Sequence, residues 1–101
     1  MAIKHNVYEG GNVQSLGFKL DDGRDATVGV LEAGHYNFGT AKRREVIKVL
    51  SGSLETPNGM RHRAERSHGV FYIEEGETIE FTAEAGTSYL CVYPDGADGT
   101  L

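Results

Sequence analysis

Glu45 is the leading candidate for chemistry in this 101-residue chain. Strand period two places it on the same face as Ile47 and Val49, so an inward-facing strand carries a carboxylate to the rim of an apolar pocket. Desolvation in such a pocket raises the pKa of a carboxyl group unless a cation or hydrogen bonds hold it ionised. The alternative is an exposed glutamate at the end of a strand whose other face turns inward, and the pattern alone leaves both open.

Arg24 is the candidate for binding an anion. It follows the Asp22-Gly23 turn, and its guanidinium could direct a fork of N–H donors at a phosphate or carboxylate, a geometry that lysine lacks. The alternative is a solvated loop arginine, which is the commoner outcome at such a position.

The aromatic side chains and the single cysteine could each have a structural or a functional role. Tyr36, Phe38 and Tyr89 could stack on a planar ring, although aromatic residues are more often part of a core. Cys91 has no adjacent histidine or basic residue and lies in an apolar segment. We therefore expect it to pack as a small hydrophobic residue rather than to act as a nucleophile.

One basic cluster interrupts an otherwise acidic chain, and it consists of Arg61, His62, Arg63, Arg66 and His68. Alternation places Arg61 and Arg63 on one face and His62 on the other, which favours a solvated strand followed by a loop. The four histidines of the chain are too scattered in sequence to form a local metal site.

Short alternating segments separated by turn signals predict an all-β fold. Leu16, Phe18 and Leu20 alternate with other residues before the Asp22-Gly23 turn. The other predicted strands are about Ala26 to Leu31, Tyr36 to Thr40, Val46 to Leu50, Ser53 to Thr56, Gly69 to Ile73, Thr78 to Thr82 and Ser88 to Tyr93. Roughly eight or nine short strands in one small chain indicate a sandwich or barrel.

Length and charge bound the possible functions. The chain predicts one domain over residues 1–101, with a core at about 13–93 and loosely ordered ends at Met1 to Glu9 and Pro94 to Leu101. A net charge of −5 argues against nucleic acid as the main partner. The lone cysteine excludes an internal disulfide, and the sequence shows no membrane-length apolar run or leader. We therefore expect a cytoplasmic protein with no membrane partner.

The last predicted strand is apolar on both faces. Tyr89, Cys91 and Tyr93 lie on one face, and Leu90 and Val92 on the other. A strand of a one-sided sheet would show a polar outer face. We therefore expect a homodimer, most simply two-fold symmetric, that covers this outer face.

The spacing from Glu45 to Gly52 resembles the first half-motif of a cupin β-barrel, in which six residues separate a glutamate from a glycine. Metal-binding cupins place paired histidines just before that glutamate, at slots that Thr40 and Lys42 occupy here. The histidine slot of the second half-motif holds Ile79. None of these is a good transition-metal ligand. The resemblance implies a single small cupin-like (jelly-roll) β-barrel whose pocket holds no metal.

A longer resemblance covers about Val13 to Tyr93. Its stretches are Val13 to Phe18, Gly23-Arg24, Thr27 to Val30, Gly34 to Thr40, Glu45 to Gly52, and Thr87-Ser88-Tyr89-Leu90-Cys91 with Tyr93. Together they resemble the pyrimidine/purine nucleoside phosphorylases of the small cupin type. The resemblance implies a homodimeric pentosyltransferase of broad specificity, which uses inorganic phosphate to convert purine and pyrimidine nucleosides into free base and ribose 1-phosphate. It implies no metal or other cofactor.

The resemblance also suggests a role for each candidate residue. Arg24, with backbone amides near Thr40, would bind phosphate, and Glu45 would contact the ribose hydroxyls or the base. The stacking walls would be Tyr36, Phe38 and Tyr89. Two alternatives remain: a non-catalytic, metal-free cupin module that binds a small anionic or aromatic metabolite, and a metal-dependent cupin enzyme with histidines from distant strands.

Overall fold

The computed structural model describes residues 3–64 and 69–94, which fold as two antiparallel sheets. The strands are β1 Lys4–Tyr8, β2 Val13–Lys19, β3 Asp25–Leu31, β4 Gly34–Thr40, β5 Glu45–Ser51, β6 Ser53–Glu55, β7 Arg61–Arg63, β8 Val70–Ile73, β9 Thr78–Ala83 and β10 Thr87–Val92. A short 3₁₀ segment lies at Glu9–Gly11, and no helix in these ranges is long and apolar enough to span a membrane. The all-β prediction is confirmed.

The two sheets differ in size. The larger has the strand order β1-β2-β3-β10-β5-β8, and the smaller has the order β4-β9-β6-β7. The predicted strands agree with β2 to β6 and β8 to β10 to within a few residues. Within the basic cluster, Arg61 to Arg63 form β7 as predicted, whereas Arg66 and His68 lie outside the described residues.

The amino-terminal segment differs from its prediction. We expected loose order up to Glu9, but Lys4–Tyr8 form β1, which pairs with β2 along its whole length. The segment lacks apolar alternation because it is an edge strand with two partly open faces, so its stability comes from backbone hydrogen bonds to β2. The prediction for residues 4–8 was therefore wrong. Residues 95–101 of the predicted loose tail lie outside the described residues.

The core lies between the inner faces of the sheets. Its largest fully buried side chains are Val13, Leu31, Val49, Leu54 and Thr87. One close approach shapes the space beside this core: a Cβ added to Gly29 on β3 would lie 2.4 Å from Cζ of Tyr89 on β10. Only a residue without a side chain therefore lets the Tyr89 ring lie across its neighbouring strand.

The outer faces of the two sheets differ in polarity. On the larger sheet, Leu16, Val28 and Leu90 lie opposite one another across three strands, and exposed apolar residues such as Val30 and Tyr72 extend this face. On the smaller sheet, the outer positions carry polar pairs, of which His35 with Thr82 and Arg61 with Glu55 are examples. The apolar outer face that we predicted for Leu90 and Val92 thus continues across β2, β3 and β10.

Candidate functional site

A continuous cavity opens between the two sheets. Its inner part, the inner cavity, encloses about 520 Å³ and is lined by residues that include Ile47, Phe81, Tyr89 and Cys91. Its outer part, the mouth, encloses about 710 Å³ and is lined by residues that include Lys19, Asp25, Thr40, Lys42 and Arg43. Both parts are lined by Tyr8, Thr27, Phe38, Glu45, Ile79 and Tyr93. Because these six residues belong to both, the inner cavity and the mouth form one space.

Glu45 lies where the inner cavity meets the mouth. It is the first residue of β5, and only 8% of its surface is exposed. Ile47 and Val49 follow it on the buried face of the strand, so the inward orientation is the one that the structure shows. The thiol of Cys91, on the neighbouring strand β10, donates a hydrogen bond to Oε1 of Glu45 across 3.4 Å.

Burial determines the protonation of this region. Desolvation raises the pKa of Glu45, while the hydrogen bond from Cys91 and the charge of Arg43 act in the opposite direction. Desolvation also raises the pKa values of Cys91, Tyr89 and Tyr93. The three neighbours therefore remain neutral at pH 7, and Glu45 keeps a proton to a higher pH than a solvated glutamate does. Such a carboxyl group can donate a proton to a bound ligand.

Aromatic side chains form much of the cavity wall. Phe38, Tyr89 and Tyr8 line it, and the rings of Tyr8 and Phe38 meet edge to face at 6.1 Å. Tyr36 lies behind Phe38 with its ring stacked at 6.1 Å, and its hydroxyl donates to the backbone oxygen of Glu32. Of the three aromatic residues that we proposed for stacking, Phe38 and Tyr89 therefore face the cavity, whereas Tyr36 supports Phe38 from the core.

The mouth carries a network of charges. Asp25 accepts a hydrogen bond from Nζ of Lys19 at 2.6 Å and another from Nη2 of Arg43 at 2.9 Å. The guanidinium of Arg43 lies 4.0 Å above the ring centroid of Tyr93. Hydrogen bonds from Lys19 and Arg43 lower the pKa of Asp25. The mouth is therefore a polar entrance that leads to a largely apolar interior.

The structure separates Arg24 from these residues. Its Nε donates to Oδ2 of Asp22 across 2.7 Å, and its backbone N–H donates to Oδ1 of the same residue. In the described part of the chain, Arg24 does not line the inner cavity or the mouth. By contrast, Thr40 at the end of β4 lines the mouth.

Several cavity residues escaped the sequence analysis, and Arg43, Cys91 and Tyr8 are examples. Arg43 lies in the bend that precedes β5, so strand alternation gave no signal for it. Cys91 was predicted to be buried, which is confirmed, but its contact with Glu45 depends on the pairing of β10 with β5. Tyr8 lies in the segment that we expected to be loose. Contacts between residues that are far apart in sequence leave no signal in the local sequence pattern, so these contacts could not be predicted.

The slots that hold ligands in metal-binding cupins also face this space, since Thr40, Lys42 and Ile79 all line the mouth. Among residues 3–64 and 69–94, no group of three or more His, Cys, Asp or Glu side chains is arranged to hold a metal ion.

The sequence profile of the pyrimidine/purine nucleoside phosphorylase family matches residues 3–93. A relative from Pseudomonas syringae that bears the same name is 36% identical over 93 residues, which cover 90% of this chain and 98% of the relative.

Solved structures share the fold. A protein of unknown function from Vibrio parahaemolyticus superposes with a TM-score of 0.80 at 33% identity, over 92% of this chain and 99% of that one. An RmlC-like cupin from Ralstonia eutropha superposes with a TM-score of 0.57 at 15% identity, over 90% of this chain and 63% of that one. The second match concerns the fold alone and supports a cupin-like arrangement of the two sheets.

Proposed function

The chain belongs to the pyrimidine/purine nucleoside phosphorylase family, and from this premise we propose that it cleaves nucleosides with inorganic phosphate. The products are a free base and ribose 1-phosphate, so the reaction is a pentosyl transfer. The observation that carries the proposal is Glu45, a buried carboxyl group in the wall of a cavity with aromatic sides.

Glu45 acts as the general acid in this proposal. The bond between C1′ and the base nitrogen breaks, and its electron pair leaves with the base while a phosphate oxygen forms a new bond to C1′. The departing base then needs a proton, which a desolvated carboxyl group supplies. Cys91 fixes the position of Glu45 through its hydrogen bond to Oε1.

The base of the nucleoside occupies the inner cavity between Phe38 and Tyr89. The volume of about 520 Å³ lies within the range of roughly 300–1,000 Å³ that is typical of small-molecule sites. Stacking on aromatic rings depends on a flat π-surface, which purines and pyrimidines share. Walls of this kind therefore favour broad specificity. Tyr36 contributes by holding the Phe38 ring in place, and Thr40 lines the entrance.

A panel of nucleosides tests the activity. Purified protein is incubated with uridine, cytidine, inosine, adenosine or guanosine, with and without phosphate, and free base is measured by chromatography. We expect base release only with phosphate, and unchanged rates after treatment with a chelator. If no nucleoside releases base, the binding-module alternative replaces this proposal. If chelation abolishes release and one transition metal restores it, the reaction depends on a metal.

We further propose that the two sheets close as a jelly-roll barrel and that two cytoplasmic copies pair through the outer face of the larger sheet. The apolar row of Leu16, Val28 and Leu90 supports this pairing, because large exposed apolar patches mark interaction surfaces. Light scattering should give twice the chain mass of 11.0 kDa. The variant Leu16→Glu should shift the protein toward monomer, whereas Thr82→Glu on the polar face of the smaller sheet should not. A wild-type monomer at micromolar concentration contradicts the dimer.

A further inference from the structure

We infer that phosphate binds at the cluster of Lys19, Asp25 and Arg43 in the mouth, and that Asp25 holds the two cations until phosphate replaces it. This inference rests on the proposed function, since it locates the second substrate of that reaction. The site differs from Arg24, to which sequence reasoning assigned the phosphate.

The carboxylate of Asp25 lies between the two cations, as a bound anion would. Its two carboxylate oxygens accept from different cations, Oδ1 from Lys19 at 2.6 Å and Oδ2 from Arg43 at 2.9 Å. A phosphate offers the same pair of negatively charged oxygens and carries more charge and one further acceptor edge. The cluster is therefore already arranged to hold an anion at the entrance of the cavity.

Arg43 is held in place for this role. Its guanidinium packs on the ring of Tyr93 at 4.0 Å, and its side chain is 23% exposed. Asp25 engages Nη2, and a guanidinium carries further N–H donors on its other two nitrogens. A fixed, stacked guanidinium loses little conformational freedom when it binds an oxyanion.

The position relative to Glu45 suits the reaction. Arg43 precedes Glu45 by two residues, and the charge of Arg43 acts on the titration of Glu45. An anion held by Arg43 thus lies near the group that protonates the base, as a reaction on one bound nucleoside requires. Lys4 and Lys42 line the same mouth and add positive charge in a chain whose net charge is −5.

Arg24 offers a different geometry. Its Nε and its backbone N–H both bond to Asp22, two residues away, in a closed turn. In the described residues, it lines neither part of the cavity. Phosphate bound there would not lie in the space that Glu45 faces.

The test compares five variants, one of which is Arg24→Ala, by KM for phosphate, kcat and direct binding of inorganic phosphate without nucleoside, measured by calorimetry. Arg43→Ala should raise KM and Kd for phosphate by roughly 10- to 100-fold, the effect of losing a hydrogen bond to a charged group. Asp25→Asn should lower both by roughly two- to five-fold, because an exposed competing ion pair is removed. Arg43→Lys should recover part of the loss. Arg61→Ala removes an arginine that pairs with Glu55 on the outer face of the smaller sheet, and it should leave all three quantities unchanged.

Several outcomes overturn the inference. An active wild type whose KM for phosphate is unchanged in Arg43→Ala, or is raised in Asp25→Asn, removes phosphate from this cluster. An effect of Arg24→Ala larger than that of Arg43→Ala assigns the phosphate to Arg24. If Arg43→Ala does not fold, the direction of the Asp25→Asn effect decides. A wild type that binds phosphate through Arg43 but releases no base refutes the proposed function and leaves the subsite standing.

Discussion

Glu45 and Asp25 are two carboxyl groups that line the same mouth, yet they differ in burial and in hydrogen-bond donors. Glu45 is buried, and its hydrogen-bond donor is the neutral thiol of Cys91. Asp25 is partly exposed, and it bridges the cations of Lys19 and Arg43. Burial raises the pKa of Glu45, whereas hydrogen bonds from the two cations lower the pKa of Asp25. The environment therefore prepares one carboxyl group to carry a proton and the other to remain an anion.

This difference divides the cavity into two chemically distinct parts. The inner cavity is mostly apolar, which suits the role that we propose for a protonated Glu45 toward a bound base. The mouth keeps its charges near solvent, where ions exchange quickly and cost little to desolvate. The proposed division places acid–base chemistry inside and anion binding at the entrance.

The largest expected effect comes from removing the acid. Glu45→Gln should lower kcat for every nucleoside by about 10²- to 10³-fold, since the amide cannot donate the proton of a carboxylic acid. Steady-state rates of base release provide the measurement. Glu84→Gln, an exposed glutamate paired with Arg63, is the matched control and should retain wild-type kcat. A fully active Glu45→Gln would exclude Glu45 from the chemistry.

The inner wall should tolerate added bulk less well than the mouth does. Gly29→Ala places a methyl group 2.4 Å from the Tyr89 ring, and we expect a loss of about 1–3 kcal/mol in the free energy of unfolding. At Gly17 in the mouth, the nearest atoms to an added Cβ lie 3.8 Å away. Gly17→Ala should therefore be nearly neutral. Urea unfolding of both variants measures the difference in their stabilities. Equal stabilities would show that the inner wall is not tightly packed.

Burial of Glu45 should destabilise the fold as pH rises. Its folded-state pKa is raised above the ordinary value of 4.5, so the stability it contributes is fully present below that value and is lost as pH rises through the folded pKa. Glu45→Gln should accordingly melt at a higher temperature than wild type at pH 7, and the two should converge below about pH 4.5. Melting curves across this pH range test the sign of the difference in stability between the variant and the wild type. A variant less stable than wild type at pH 7 would indicate that partners offset the burial.

The stability that Asp25 contributes should depend on pH in the opposite direction, and its substitution should have the smallest effect of those described. Its folded-state pKa lies below the ordinary value of 3.8, so its stabilisation is present above that value and is lost as pH falls through the folded pKa. Asp25→Asn should cost no more than about 1 kcal/mol at pH 7, because the pair is partly exposed and screened by salt. Melting at low and high ionic strength measures this. A stabilised Asp25→Asn would show that the bridge strains the mouth.

The sequence by itself determined the strands and grouped Glu45 with Ile47 and Val49 on one face of β5, but it did not decide whether that face points inward. Alternation and turn residues are local signals, so they located β2 to β10 and placed Glu45 with Ile47 and Val49. Buried Cys91 and the two faces of β10 followed from the same period of two. The family resemblance also came from contiguous stretches of the chain, and it is confirmed.

The tertiary structure alone decided which residues meet in the cavity. The contact of Cys91 with Glu45 joins two strands that are distant in sequence, and that of Arg43 with Asp25 joins the bend before β5 to β3. Both contacts depend on the register of the whole sheet. Strand β1 exists because β2 supplies its hydrogen bonds, and it carries Tyr8 into the cavity wall. The side chain of Arg24 donates a hydrogen bond to its neighbour Asp22, and the residue type alone could not predict this partner. Local periodicity determines which residues share a face of each strand. Pairing between strands that are distant in sequence determines which of those residues come into contact.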